Sequence, residues 1–174
     1  MNNIYAGIGS RDTPPQILQL MTRLAGAMEQ QGWLLRSGGA RGADAAFEAG
    51  VANPAHRAIF LPDNYFNGRR AGPGGYYNAQ ALPGWAAALE TVNQYHPAPE
   101  RLSPFARALM ARNAMQVLGP NLDRPANLVV AWTPGGAMKG GTSQAIRMAQ
   151  DYGIPVRNLG NAEALARAQA FLTR

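Results

Sequence analysis

The sequence of 174 residues contains no cysteine and only two histidines, His56 and His96. The absence of cysteine excludes disulfide bonds, thiolate metal sites and thiol nucleophiles. Two isolated histidines do not make a histidine-rich site, so we expect no metal and no resident cofactor. No apolar run approaches the roughly 18 residues that a membrane-spanning helix needs. A basic segment leading into a long apolar stretch is also absent, and we therefore expect a cytoplasmic protein that does not associate with membranes.

Lysine is almost absent as well, because 16 basic residues include only one lysine, Lys139. The net charge is +6. Two interpretations stay open for the arginine excess. A GC-rich genome enriches both arginine and alanine, whereas the planar guanidinium is suited to bidentate binding of phosphate. Charge alone does not separate a nucleotide-binding protein from one that binds DNA.

Short apolar runs alternate with amphipathic stretches along the chain, and each type repeats five or six times. The apolar runs predict strands over residues 3–8, 33–37, 57–61, 127–132 and 154–159. The amphipathic stretches predict helices over residues 15–31, 43–51, 83–95, 104–118 and 163–172, and a further helix that follows the last glycine-rich turn and ends at about residue 152. This alternation predicts an α/β fold, a Rossmann-like parallel sheet of about five or more strands with helices on both faces. We expect one domain over residues 1–174, with an irregular insertion or lid at about 62–100.

Three glycine-rich turns each follow a predicted strand: Gly7–Arg11, Ser37–Asp44, and Thr133–Gly136 continuing through Lys139–Ser143. A strand, a glycine turn and a helix start present free backbone N–H groups at the positive end of a helix dipole, which favours phosphate or carboxylate. If the strand order is 3-2-1-4-5, the sheet reverses between the first and fourth strands, and all three turns meet there. The turns therefore predict a site for a nucleotide or a nucleotide-like anion.

The predicted ligand-binding residues come from these turns and from the helix that precedes the fourth strand. They are Gly9, Ser10, Arg11, Ser37, Gly38, Gly39, Arg41, Gly42, Asp44, Arg112, Asn113, Pro134, Gly135, Gly136, Lys139, Gly140, Gly141, Thr142 and Ser143. Asp44 has two interpretations, a helix cap or a contact to a ribose hydroxyl. Tyr65, Phe66, Tyr76, Tyr77 and Trp85 either stack on a base or only tether an irregular loop.

The motifs Gly9-Ser10-Arg11 and Ser37–Asp44 resemble the SLOG superfamily of Rossmann-like domains. That superfamily includes the DNA-processing protein DprA (Smf), the LOG-type phosphoribohydrolases that activate cytokinins, and sensors of ADP-ribose-type signals. The resemblance covers nearly the whole chain outside residues 62–99. The first two motifs are most similar to DprA, while Ala111–Met115 followed by Thr133–Gly136 and Gly141-Thr142 follows the order in LOG enzymes. The resemblance to the SLOG superfamily implies a nucleotide-binding site and self-association into a homodimer or larger assembly.

The sequence departs from the LOG pattern at the position that carries the chemistry. LOG enzymes have a PGGxGTxxE-type turn whose glutamate acts with an upstream arginine on the N-glycosidic bond. Arg112 matches that arginine, but Gln144 and Ala145 stand where the carboxylate is expected. A neutral amide cannot act as a general base or stabilise an oxocarbenium ion by charge.

Three functions therefore stay open. The leading hypothesis is a protein that binds a nucleotide-derived ligand, such as an ADP-ribose-type or cyclic-nucleotide signal, as a sensor or sequestering protein without turning it over. The second is a DprA-like module for single-stranded DNA. The third is a hydrolase of nucleotide N-glycosides, with Arg112 acting together with Asp44 or Glu48 in place of the missing glutamate.

Overall fold

The computed structural model describes residues 2–174, which contain eight strands and six α-helices. The strands are β1 Ile4–Gly7, β2 Leu34–Ser37, β3 Arg57–Leu61, β4 Tyr65–Phe66, β5 Arg69–Arg70, β6 Tyr76–Asn78, β7 Leu128–Ala131 and β8 Val156–Asn158. The helices are α1 Pro15–Gln30, α2 Ala43–Gly50, α3 Trp85–Tyr95, α4 Pro104–Leu118, α5 Gly141–Asp151 and α6 Ala162–Phe171.

Six strands form one parallel sheet in the order β6-β3-β2-β1-β7-β8. The central strand β1 pairs with β2 on one side and with β7 on the other, so that Tyr5 lies opposite both Leu35 and Leu128. The order assumed for the five strands agrees with the structure, in which the sheet reverses between β1 and β7. Right-handed crossovers leave few other orders for strands that alternate with helices.

Helices cover both faces of the sheet, as the alternation predicts. Along β1, Tyr5 packs into a core shared with α1, α2 and α6, whereas Ala6 packs into a second core with α3, α4 and α5. Because successive strand residues point to opposite faces, a strand covered on both faces is apolar throughout. That property makes these strands recognisable as continuous apolar runs.

Local signals set the ends of the helices. The Ser103 side chain accepts a hydrogen bond from the Ala106 N–H (3.1 Å) at the start of α4, as an N-cap does. The helix ends at Gly119. No helix within residues 2–174 has the length and apolarity to cross a membrane.

The segment over residues 62–100 contains more regular structure than the sequence predicts. Strand β6 extends the main sheet by pairing with β3. Strands β4 and β5 form a separate hairpin, here called the 65–70 hairpin, whose turn is Asn67-Gly68 with positive φ at both residues (48° and 75°). Asn-Gly is the preferred dipeptide for such two-residue turns, so the sequence contains the signal for a hairpin at a place where irregular structure is expected.

Candidate anion-binding site

The loops that follow β1, β2 and β7 meet at the carboxyl edge of the sheet. The Ser10 N–H donates to the Trp132 carbonyl (3.2 Å), and the Ser10 carbonyl accepts from the Ala43 N–H (3.4 Å). Ligands of open parallel sheets bind where the strand order reverses. A cavity of about 800 Å³ opens at this point, within the size range of small-molecule sites.

Most of the predicted binding residues line this cavity, and the others do not. Those on its wall are Gly9, Ser10, Arg11, Arg41, Asp44, Arg112, Asn113, Pro134, Lys139, Gly140, Gly141 and Thr142. Those outside it are Ser37, Gly38, Gly39, Gly42, Gly135, Gly136 and Ser143. Four of the lining residues are basic (Arg11, Arg41, Arg112 and Lys139) and two are acidic (Asp12 and Asp44). The cavity therefore carries an excess of positive charge.

The first long glycine turn is closed by its own carboxylate. The side chain of Asp44 accepts a hydrogen bond from the Ala40 N–H (3.2 Å), and the nearby backbone of Gly38 lowers the pKa of Asp44 against the larger, opposite effect of burial. The Ala40 N–H is a donor that the sequence pattern offers to a ligand. Asp44 therefore bonds to the loop before α2, and the start of α2 has no side-chain cap, so the helix-cap interpretation is wrong. The Asp44 side chain also faces the cavity.

Other residues of this turn have structural partners. The Ser37 hydroxyl donates to the Gly7 carbonyl (2.7 Å) and is fully buried. Gly42 has φ of 81°, and a Cβ there would lie 2.7 Å from the Ser10 carbonyl oxygen. Only glycine at this position therefore allows the Ser37–Asp44 turn to approach the Gly7–Arg11 turn this closely.

Burial raises the pKa of Asp44 to about 6, although Arg112 and the backbone of Ala40 and Gly38 act in the opposite direction. Burial lowers the pKa of the Arg112 guanidinium, and Asp44 opposes that effect. The two side chains form the electrostatic centre of the cavity, and each is at most 5% exposed.

Much of the hydrogen-bonding capacity of Arg112 is used within the protein. Its guanidinium donates to the carbonyls of Gly38 and Phe60 and to the Asn113 side chain (3.0 Å). It also lies 5.5 Å from the centre of the Phe66 ring, within cation–π range. Arg112 therefore holds α4 against the ends of β2 and β3 while it faces the cavity.

The second long turn remains open. Helix α5 has no side-chain cap, and among residues 2–174 no protein partner accepts from the N–H groups of Gly141 and Thr142. These two residues line the cavity together with Lys139, which is exposed. Free N–H groups at a helix N-terminus, beside an ammonium group, form an anion site.

Three predicted residues of this second turn have other roles. The Gly136 N–H donates to the Thr133 carbonyl (3.0 Å), and the Ser143 hydroxyl donates to the Gly140 carbonyl (2.6 Å). Gly135 is exposed outside the cavity.

Glu48, a candidate catalytic residue, lies outside the cavity. Its carboxylate accepts from Arg69 Nε (2.6 Å) and from the Tyr76 hydroxyl. Both oxygens are therefore used in contacts with the 65–70 hairpin and with β6. Glu48 does not reach the place where a ligand would react.

Gln144 does not supply the missing chemistry either. Its Nε2 donates to the Met110 carbonyl (3.2 Å), its Oε1 is buried without a partner among the described residues, and the side chain is outside the cavity. Within residues 2–174, no three His, Asp or Glu side chains come together as metal ligands would.

An aromatic and apolar wall completes the cavity, and part of it was not predicted. Helix α4 contributes Phe105, Leu109, Met110 and Gln116, and the 65–70 hairpin contributes Tyr65 and Phe66. Base stacking is one of the two interpretations that the sequence offers for Tyr65 and Phe66, whereas no ligand contact is predicted from the sequence for these α4 residues. Their spacing with Arg112 (105, 109, 112, 116) follows one helical face, and this was the available signal.

Comparisons with known proteins establish the fold. Neither a scan of protein-family models nor a search of curated proteins finds a match. A solved structure of DNA processing protein A from Helicobacter pylori, which binds single-stranded DNA, is 20% identical with a TM-score of 0.60, over 98% of this chain and 79% of that chain. The molybdenum cofactor binding protein from the phototrophic bacterium Rippkaea orientalis is 17% identical with a TM-score of 0.56, over 91% and 76%.

The chain therefore has a Rossmann fold like that of DprA, and the resemblance drawn from the glycine motifs is confirmed at the level of fold. Identities of 17–20% do not transfer a ligand or an activity. Function has to be argued from the cavity itself.

Proposed function

We propose that the protein binds a nucleotide or nucleotide-derived ligand, such as an ADP-ribose-type or cyclic-nucleotide signal, as a sensor or sequestering protein. One observation carries this proposal. The uncapped N-terminus of α5 and the residue Lys139 line the same cavity as the aromatic residues Tyr65, Phe66 and Phe105. A ligand that combines phosphate with a flat base can bind the helix N-terminus through its phosphate and the aromatic side chains through its base.

In this arrangement the phosphate accepts hydrogen bonds from the Gly141 and Thr142 N–H groups and pairs with Lys139. Arg11 and Arg41, both exposed at the cavity, add positive charge without salt-bridge partners among the described residues. Charge-assisted hydrogen bonds are about twice as strong as neutral ones. Turnover is not part of the proposal. Of the two carboxylates on the cavity wall, Asp12 is exposed and Asp44 is bonded to the turn.

A thermal-shift panel tests this function. Purified protein is heated with mononucleotides, ADP-ribose, cyclic dinucleotides or inorganic pyrophosphate, each at low and high salt. A ligand that binds only the folded state raises its stability by RT ln(1 + [L]/Kd). A salt-tolerant shift of several degrees with one small ligand supports the proposal, and no shift with any of them contradicts it. Chromatography of the same samples detects a released base, and light scattering measures self-association.

Binding of single-stranded DNA is the second candidate, because the aromatic wall continues onto the surface. Tyr65 is 65% exposed and Phe105 is 56% exposed, and exposed aromatics beside basic residues stack on successive bases. The structural neighbour from Helicobacter pylori binds single-stranded DNA. This function predicts an affinity that rises with oligonucleotide length and falls steeply with salt.

A further inference from the structure

The 65–70 hairpin carries the aromatic part of the cavity wall but lies outside the main sheet. Each of its strands has two residues, and isolated hairpins are marginally stable at best in water. The position of Tyr65 and Phe66 at the cavity therefore depends on contacts between this hairpin and the rest of the protein.

Glu48 on α2 makes the main polar contact of this kind. Arg69 of the hairpin donates through Nε to Glu48 Oε2 (2.6 Å) and through NH1 to the Asn67 carbonyl (2.9 Å), which closes the turn. The Asn67 side chain donates to the Gly39 carbonyl at a longer distance of 3.3 Å. The ion pair is well shielded, with 17% and 9% of the two side chains exposed. Removing one partner of a shielded pair leaves the other charge uncompensated.

The second oxygen of Glu48 is also held. The Tyr76 hydroxyl donates to Glu48 Oε1, and Arg57 donates to the same hydroxyl (3.2 Å) while lying over the Tyr76 ring. Glu48 is thus fixed from the β6 side and presents its other oxygen to the hairpin. Because Glu48 is held by Tyr76, its Oε2 accepts from Arg69 at a defined position.

The hairpin aromatics are oriented by cations and by α4. Arg112 lies 5.5 Å from the centre of the Phe66 ring, and Arg70 lies 5.5 Å from that of Tyr65. The Phe66 and Phe105 ring centroids are 6.3 Å apart, within the range of interacting aromatic pairs. Fixing Arg69 therefore fixes one side of an aromatic surface whose other side belongs to α4.

We infer that Glu48 is a positioning residue that sets the preference of the cavity for ligands carrying an aromatic base over bare phosphate compounds. This inference rests on the proposed function. Glu48 does not contact the ligand; it holds the hairpin so that Tyr65 and Phe66 meet the base. The phosphate end is bound at α5, which has no contact with Glu48 among its hydrogen bonds or ion pairs within residues 2–174.

The test compares two probes that share a diphosphate, namely ADP, which also carries ribose and an aromatic base, and inorganic pyrophosphate. Their dissociation constants are measured by titration calorimetry for wild type, Glu48→Gln and Arg69→Gln. We expect both substitutions to weaken ADP binding about tenfold and to leave pyrophosphate binding within about twofold. Phe66→Ala is expected to shift the ratio of the two constants in the same direction. Arg69→Gln breaks the ion pair from the hairpin side and leaves the Tyr76 contact, so it still tests the inference if Glu48→Gln folds poorly.

The matched control is Glu163→Gln, which breaks the exposed pair between Glu163 and Arg167 (2.8 Å) away from the cavity. It should leave both constants unchanged. Equal weakening of both probes by Glu48→Gln and Arg69→Gln, or no weakening, overturns the inference. A wild type that binds pyrophosphate as tightly as ADP has no base preference and overturns this inference alone. A wild type that binds neither probe overturns this inference, and the proposed function fails with it only if the thermal-shift panel also finds no ligand.

Discussion

The two long glycine turns follow strands on the same edge of one sheet, yet one is closed and the other is open. In the first turn, the carboxylate of Asp44 accepts from the Ala40 N–H. In the second, no carboxylate accepts from the loop, the Gly141 and Thr142 N–H groups have no protein partner within residues 2–174, and Lys139 lines the same cavity. The difference arises from the second residue of each helix, which is Asp44 in α2 and Thr142 in α5. A glycine turn before a helix is therefore an anion site only where the protein does not supply its own anion.

Substitution at Gly38 should break the closed turn and produce the largest effect. A Cβ at this position would lie 2.0 Å from Gln116 Nε2 and 2.3 Å from an Arg112 nitrogen. Arg112 cannot yield without losing its buried hydrogen bonds to the Gly38 and Phe60 carbonyls. We expect Gly38→Ala to lower the free energy of unfolding by about 2–4 kcal/mol in urea titrations.

Gly26→Ala, inside α1, is the matched control for this substitution. The added Cβ would contact only the carbonyl oxygen of Gly50 in α2, at 3.4 Å. It should be neutral or stabilising by up to about 1 kcal/mol, since alanine favours helix. Equal stability of Gly38→Ala and Gly26→Ala would refute the packing described for the first turn.

Replacing Asp44 by asparagine removes the charge that closes the first turn. Burial raises the pKa of Asp44 to about 6, above the value of about 3.9 for an exposed aspartate. The folded state therefore binds more protons than the unfolded state between these values, and the contribution of Asp44 to stability is lost as pH rises from about 4 to 6. We expect that loss, about 2–3 kcal/mol, to be absent from Asp44→Asn.

The measurement is the difference in unfolding free energy between wild type and Asp44→Asn at pH 4 and at pH 7. Using the difference cancels other titrating groups, including Glu29, whose pKa is lowered by hydrogen bonds from Ala52, Asn53 and His56 against the opposing effect of burial. Parallel pH profiles for the two proteins would mean that Asp44 ionises normally in the fold.

The parallel sheet with helices on both faces followed from the sequence, because strands buried on both faces are apolar runs. The strand order was an assumption compatible with the single hand of parallel crossovers, and the structure agrees with it. The closing of the first turn did not follow. Asp44 and Glu48 are four residues apart and share a helical face, so both were candidates for the same site. One turn of helix, about 5.4 Å, separates them along α2, and the structure places Asp44 at the cavity and Glu48 against Arg69 and Tyr76.

A substitution in the second long turn should change the affinity for anions and leave the free energy of unfolding nearly unchanged. Lys139 is exposed and makes no salt bridge within the described residues. Lys139→Gln should change the free energy of unfolding by less than about 0.5 kcal/mol. It should weaken pyrophosphate binding about tenfold at low salt, or about 1.4 kcal/mol, and less at high salt because the charge is screened.

Arg167→Gln, outside the cavity, removes one positive charge of the same size and is the control for net charge. Titration calorimetry of both variants at two salt concentrations separates local from overall electrostatics. Identical affinities for Lys139→Gln and Arg167→Gln would remove Lys139 from the anion site.

The hydrogen bond from the Ser10 N–H to the Trp132 carbonyl joins the first loop of the chain to the end of β7. The cavity wall is thus assembled from segments far apart in sequence, and the pairing that joins them carries a high loop-closure cost during folding. A partly folded chain that lacks β7 has no complete cavity. Ligand occupancy would therefore report completion of the whole sheet, and it would protect amides throughout the core from hydrogen exchange, well beyond those near the ligand.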